Sequence, residues 1–215
     1  MDFPASLLNG YKYFIQTNFN EKKSYYKKLA KGGQKAKVLI ICCCDSRAAP
    51  ETIFNSYPGE IFVLRNIANQ VPPFQPDSQY HGTSAALEFA VQKLGVKHIV
   101  VLGHARCGGV AAALELGSTP LSDSDFIGGW MKLLQGATEE VSNITHLDED
   151  QKKRLLERIS IRYSLANLRT FPWIRAKEED GSLALHGAWF DIENGQLWLL
   201  NRSNGDFFCY NTTSN

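Results

Sequence analysis

The sequence predicts an α/β fold: a mainly parallel β-sheet flanked by helices, with a C-terminal β-hairpin or edge strand and an N-terminal helical arm. Three observations carry this. The runs KVLII (37–41), EIFVLRN (60–66) and KHIVVLG (97–103) are short and continuously apolar, as strands covered on both faces are. Segments of helical spacing alternate with them, and strand–helix–strand order favours parallel pairing. Near the end, LALHGAWFDIENGQLWLLN holds two more strand runs joined through Asn194–Gly195, a strong hairpin signal.

Taken in order, residues 1–35 read as one or two helices with a basic, solvated end. The Lys run there is an exposed helix face. The turn YPGE announces the strand at 60–66. GTSAALEFAVQKLG (82–95) is helical, with Ala86, Phe89, Ala90 and Leu94 sharing a side and Gly95 suited to its C-terminal cap. GGVAAALELG, after the third strand, starts another helix. Residues 117–130 read as a loop with a short helix. DEDQKKRLLERISIRYSLANLRTF is a long amphipathic helix stopped before Pro172. No repeat, linker or low-complexity tract interrupts the chain, which predicts one domain over 1–215.

Composition narrows the function classes. At 215 residues, the chain can bury one good core. Its 44% apolar and 21% charged residues are ordinary for a soluble globular protein. A net charge of +1 leaves no electrostatic footprint for nucleic acid or an acidic membrane. No apolar run approaches the ~20 residues that span a bilayer, and the start lacks the pattern of a secretory signal. A cytoplasmic location follows as the expectation. Five cysteines, three of them consecutive (Cys42, Cys43, Cys44), do not suit a disulfide scaffold, because neighbours in a strand point to alternate faces. Free core cysteine and metal ligand remain. No G-x-G-x-x-G or Walker-type phosphate loop is present.

In open parallel sheets, ligands gather beyond the carboxyl ends of the strands. Two polar clusters, 43–47 and 104–107, stand at such ends. Zinc favours thiolate and imidazole, and a catalytic site leaves one position open. His104-x-x-Cys107 sits where a strand turns into a helix, and a cysteine from 42–44 at the other strand end would complete a set of three. Alternation separates Cys43 from Cys42 and Cys44, but does not decide which side carries the ligand. Beside the cysteines, Asp45 and Arg47 make an acid–base pair. Taken singly, each of these residues reads more simply as packing or as a surface ion pair.

CCDSR (43–47) followed by GHARCGG (103–109) resembles the paired motifs of the β-class carbonic anhydrases, leaning toward the plant-type branch. The likeness extends through PGEIFVLRNIANQVPPF, HGTSAALEFAV and VKHIVVLGH. The resemblance implies reversible hydration of CO2 to bicarbonate through zinc-bound hydroxide, with one Zn2+ per subunit held by Cys43, His104 and Cys107. Cys42 and Cys44 are then packing residues. Asp45 and Arg47 match the family's dyad, and Asp45 is a possible fourth ligand in a closed state. By position, Gln34, Phe62, Ile67, Phe89 and Gly108 match substrate-pocket residues, with Phe89 standing where plant-type members have tyrosine. Arg106 either tunes anion affinity or points outward. Because the family's pocket walls come from two subunits, a dimer or a higher even-numbered homo-oligomer is implied. Two alternatives stand beside this reading: a related zinc hydrolase of carbon disulfide or carbonyl sulfide, and a non-catalytic zinc-held interaction module. His81, His98, His146 and His186 read as structural or exposed. Cys209 reads as packing, and the four tryptophans as core or subunit contacts.

Overall fold

The computed structural model describes residues 3–114, 120 and 122–211. The arm comprises α1 (Ala5–Phe14), which runs on through a wider π turn (Ile15–Phe19), and α2 (Lys23–Gly32). Then follow β1 (Val38–Cys43), a short α3 (Pro50–Ile53), β2 (Ile61–Asn66), α4 (Gly82–Glu88) and β3 (His98–His104). Next come α5 (Gly108–Leu114), α6 (Phe126–Met131), α7 (Gln135–Ser142), α8 (Glu149–Leu168) and α9 (Pro172–Glu179). Three strands close the chain: β4 (Ala184–Asp191), β5 (Gln196–Leu200) and β6 (Phe207–Cys209).

The six strands form one sheet in the order β2-β1-β3-β4-β5-β6. The first four are parallel; β5 adds on antiparallel, as the hairpin signal predicts, and β6 pairs antiparallel beyond it. Register aligns Cys43 with Asn66, Cys42 with Leu102, and His104 with Phe190, so β1 and β3 end side by side. The main core lies between one sheet face (Leu39, Ile41, Ile99, Val101, Leu185) and helices carrying Leu87, Val91, Ile161, Leu165 and Ile174. A second core, among α5, α6, α7 and α8, surrounds Cys43 and Cys107. On the other sheet face, Ile40, Cys42, Leu102 and Ala188 are buried, but Val38, Ile61, Val63, Val100, Phe190, Leu197 and Leu199 are only partly covered.

Several expectations need correction. The buried side of α4 and its π continuation (Phe89–Leu94) is Leu87, Ala90 and Val91, while Phe89 is 45% exposed. The wider turn rotates the face away from the one that regular spacing gives. It does end at Gly95, which is left-handed. Pro172 stops α8, as expected, but it also opens α9 as a first-turn proline, where its missing N–H costs nothing. Of the loop expected at 117–130, α6 is the short helix, while residues 117–119 and 121 lie outside the described residues. So do 115 and 116 of the helix expected after β3.

Candidate metal centre

β1 and β3 deliver the two halves of the site at their carboxyl ends. The nitrogen of His104 and the sulfurs of Cys43 and Cys107 all lie within 4.8 Å of one another, and all three residues are buried. The two sulfurs are 3.9 Å apart. Two thiolates on one tetrahedral zinc, at Zn–S ≈ 2.3 Å, stand roughly 3.8 Å apart, so the observed spacing fits that ion. His104 Nδ1 lies 2.8 Å from the Ala105 carbonyl. A carbonyl only accepts, so Nδ1 carries the proton and Nε2 keeps its lone pair. That Nε2 is buried and has no hydrogen-bond partner among the described residues. An orphaned buried acceptor beside two thiols suits a cation.

Without a cation, the two thiols bias each other. Cys43 is held well below the usual thiol range by the hydrogen bond from Cys107, burial opposing it and His104 assisting. Cys107 is pushed up in return by that bond to Cys43 and by burial, while the amides of Val110 and Gly109 pull it down. These amides open α5, so the helix start addresses the sulfur itself. Cys42, on the other side of the strand, is pushed up to about 12 by burial and is inert packing. Cys44 is exposed, against expectation, because β1 ends at Cys43 and strand alternation no longer governs the next residue. Cys209 is also exposed, at the short edge strand β6.

Asp45 opens a 3-10 turn (Ser46–Ala48), and its carboxylate accepts from the Arg47 amide at 2.9 Å. The Arg47 guanidinium grips both oxygens, with Nε–Oδ1 3.0 Å and Nη2–Oδ2 2.7 Å. This bidentate contact holds Asp45 well below the usual carboxylate range, its partial burial opposing and the Arg47 amide adding to the effect. Asp45 Oδ2 stands 3.9 Å from His104 Nε2, at the edge of the cluster. Arg47 Nη2 also donates to the Arg106 carbonyl at 3.1 Å. Arg106 is left-handed (φ 57°), and its side chain points outward toward Asp150 (3.4 Å) and Glu193 (3.9 Å).

The pocket residues divide. Gly108 adjoins Cys107, and Ile67 packs where Gly109 lacks a side chain. Phe62 and Phe89 pair with each other (ring centroids 5.8 Å) near the start of β2. Gln34 is exposed before β1, so the strand, roughly 16 Å long at 3.3 Å per residue, separates it from Cys43. The chain therefore does not bring Gln34, Phe62 and Phe89 to its own cluster.

Three contributors escaped the sequence reading. Arg65 donates to the carbonyls of Cys43 (2.9 Å) and Asp45 (2.7 Å), fixing the bend between ligand and dyad. Its signal was a lone cation in an apolar strand. Trp130 donates to the Ile67 carbonyl at 2.9 Å. Glu157 of α8 reaches the Cys107 amide from behind; one carboxylate in a charged amphipathic helix gives no signal of that.

A mainly parallel sheet presenting a Cys–His–Cys cluster and an Asp–Arg pair at two adjacent strand ends has the architecture of a metal-dependent α/β enzyme. A family model described as carbonic anhydrase matches residues 38–197. The chain is 38% identical over 180 residues to β carbonic anhydrase 5, chloroplastic, of Arabidopsis thaliana, covering 83% of this chain and 58% of that relative. It thus spans less than two thirds of that relative's length. The solved structure of the β-carbonic anhydrase CcaA superposes with a TM-score of 0.89 at 31% identity, over 98% of this chain and 93% of that one. One of two tetrameric β-carbonic anhydrases from Sordaria macrospora gives a TM-score of 0.77 at 32% identity, over 91% and 95%. The chain belongs to the β-class carbonic anhydrases.

Proposed function

We propose that the protein hydrates CO2 reversibly to bicarbonate and a proton, with one Zn2+ per subunit held by Cys43, His104 and Cys107. The observation that carries this reading is the unpartnered, buried His104 Nε2 beside two sulfurs and an Arg-held carboxylate. Zinc, when bound, supplies the Lewis acidity that makes a water acidic enough to attack near neutral pH. The two thiolates temper that acidity by cancelling its charge. Asp45 accepts a hydrogen bond from the attacking water and so turns a lone pair toward CO2. Arg47 keeps Asp45 ionised and aimed. The proton released leaves to buffer.

Family membership supports a pocket shared between two copies, because Gln34, Phe62 and Phe89 stand away from the cluster of their own chain. The partly covered sheet face and an α1 with no buried residue support self-association as a dimer or a higher even-numbered assembly. One continuous sheet supports a single domain over 1–215. No described helix is long and apolar enough to cross a membrane. Five free cysteines suit the reducing cytoplasm.

Stopped-flow CO2 hydration by zinc-loaded protein, from neutral to alkaline pH, tests the reaction. Activity should rise with pH, disappear in Cys43→Ser, and fall about 10²-fold or more in Asp45→Ala. Full zinc occupancy with no hydration at any pH would reject CO2 as substrate; carbonyl sulfide would be assayed next.

A further inference from the structure

Glu157 is 3% exposed on α8, and both of its carboxylate oxygens are used. Oε1 accepts from the Cys107 amide at 3.2 Å, and Oε2 accepts from Trp189 Nε1 on β4 at 3.1 Å. The helix comes this close because β3 and β4 present glycines beneath it. A Cβ on Gly103 would stand 2.8 Å from Ile161 Cδ1 and 3.5 Å from the Glu157 carbonyl oxygen. A Cβ on Gly187 would stand 2.9 Å from Ile161 Cγ2. Two N–H donors thus converge on one side chain from different elements. A carboxyl group offers one oxygen to each donor; an amide in its place offers one oxygen and sets its own NH2 against the other donor.

We propose that Glu157 is a positioning residue of the metal centre, whose paired acceptance from Cys107 and Trp189 holds the Cys107 turn so that its sulfur faces Cys43 and His104. Glu157 touches neither the metal nor substrate; it acts through the backbone of a ligand. The inference rests on the metal-centre reading above. Partners that orient ligands in this way typically change metal affinity about 10–100-fold when lost.

The test follows zinc transfer from the loaded protein to a chromophoric chelator, together with the thiolate-to-metal absorption of the cobalt-substituted protein. Glu157→Gln should speed zinc release about 10–100-fold and shift that absorption. Trp189→Phe removes one donor but leaves the acceptance from Cys107 in place, so it should speed release less than Glu157→Gln does; release faster than that of Glu157→Gln overturns the proposal. The double variant Glu157→Gln/Trp189→Phe removes the conflicting donor, frees the amide oxygen for Cys107, and should return release to near the wild-type rate. It also serves if Glu157→Gln does not fold alone. Wild-type release from Glu157→Gln, or fast release from the double variant, overturns the proposal. Wild-type protein that takes up no zinc overturns the metal-centre reading itself, before any variant is made.

Discussion

His98 and His186 illustrate how much a single side chain's setting decides. The sequence marks neither, yet Nδ1 of one lies 3.1 Å from Nε2 of the other, across β3 and β4. Burial, then the charges of His98 and Arg202, lower the pKa of His186. The unfolded chain therefore binds more protons than the native one between that lowered value and about 6.5. Its contribution to stability is complete above pH 6.5 and is lost as pH falls through the folded pKa. His186→Gln should thus flatten the decline in melting temperature between pH 7 and pH 5. An unchanged decline would show that other groups set it. The same lesson holds at the candidate metal centre. His104, Cys107, Asp45 and Arg47 stood out by residue type and spacing, whereas Cys43 was separated from its neighbours only by the family resemblance; the structure brings all five together. Arg65, Trp130 and Glu157 were not legible, because each acts by hydrogen bonding to backbone that is remote in sequence.

Among the elements, α8 was the most legible, since its amphipathic pattern is long and Pro172 bounds its end; the structure adds a reciprocal capping box between Asp148 and Gln151 at its start. What hydrophobic spacing leaves open is how closely a helix approaches the sheet. That distance is set here by Gly103 and Gly187. The Cβ of an alanine at 187 would be pinched between Ile161 Cγ2 and Leu200, with Leu200 Cβ at 3.0 Å. Gly187→Ala should therefore cost about 1–3 kcal/mol in urea unfolding. Combining it with Ile161→Ala should cost less than the sum of the two single changes, because the second opens the space that the first needs. Strict additivity would mean that α8 does not meet the sheet there. β6 escaped notice because three residues are too few to show alternation, and α9 because Pro172 reads as a stop before it reads as a start.

For the whole molecule, the fold class follows from the apolar runs, whereas the strand order and the thin cover on one sheet face do not. Along α1, Phe3, Leu7, Leu8, Tyr11 and Tyr13 in and around the helix are 45–66% exposed, and the helix buries nothing within its own chain. Such a surface is characteristic of an interaction site, and self-association is the reading that family membership favours. The intact protein should sediment as a dimer or larger, and removal of residues 1–35 should yield smaller species with reduced CO2 hydration. An arm-less protein of unchanged mass would assign the arm another role.

Parallel pairing of β1 with β3 sets Cys42 against Leu102, so the two strands end side by side and the Cys43 sulfur lies within 4.8 Å of a His104 ring nitrogen. Three sulfurs in a row are therefore not three chances at a metal. Sliding β1 by one position would still leave sulfur at the strand end, but facing the wrong side of the sheet. The alignment of two strands thus decides which sulfur joins the cluster, and uptake of an ion there would report that the sheet has been assembled in its proper frame.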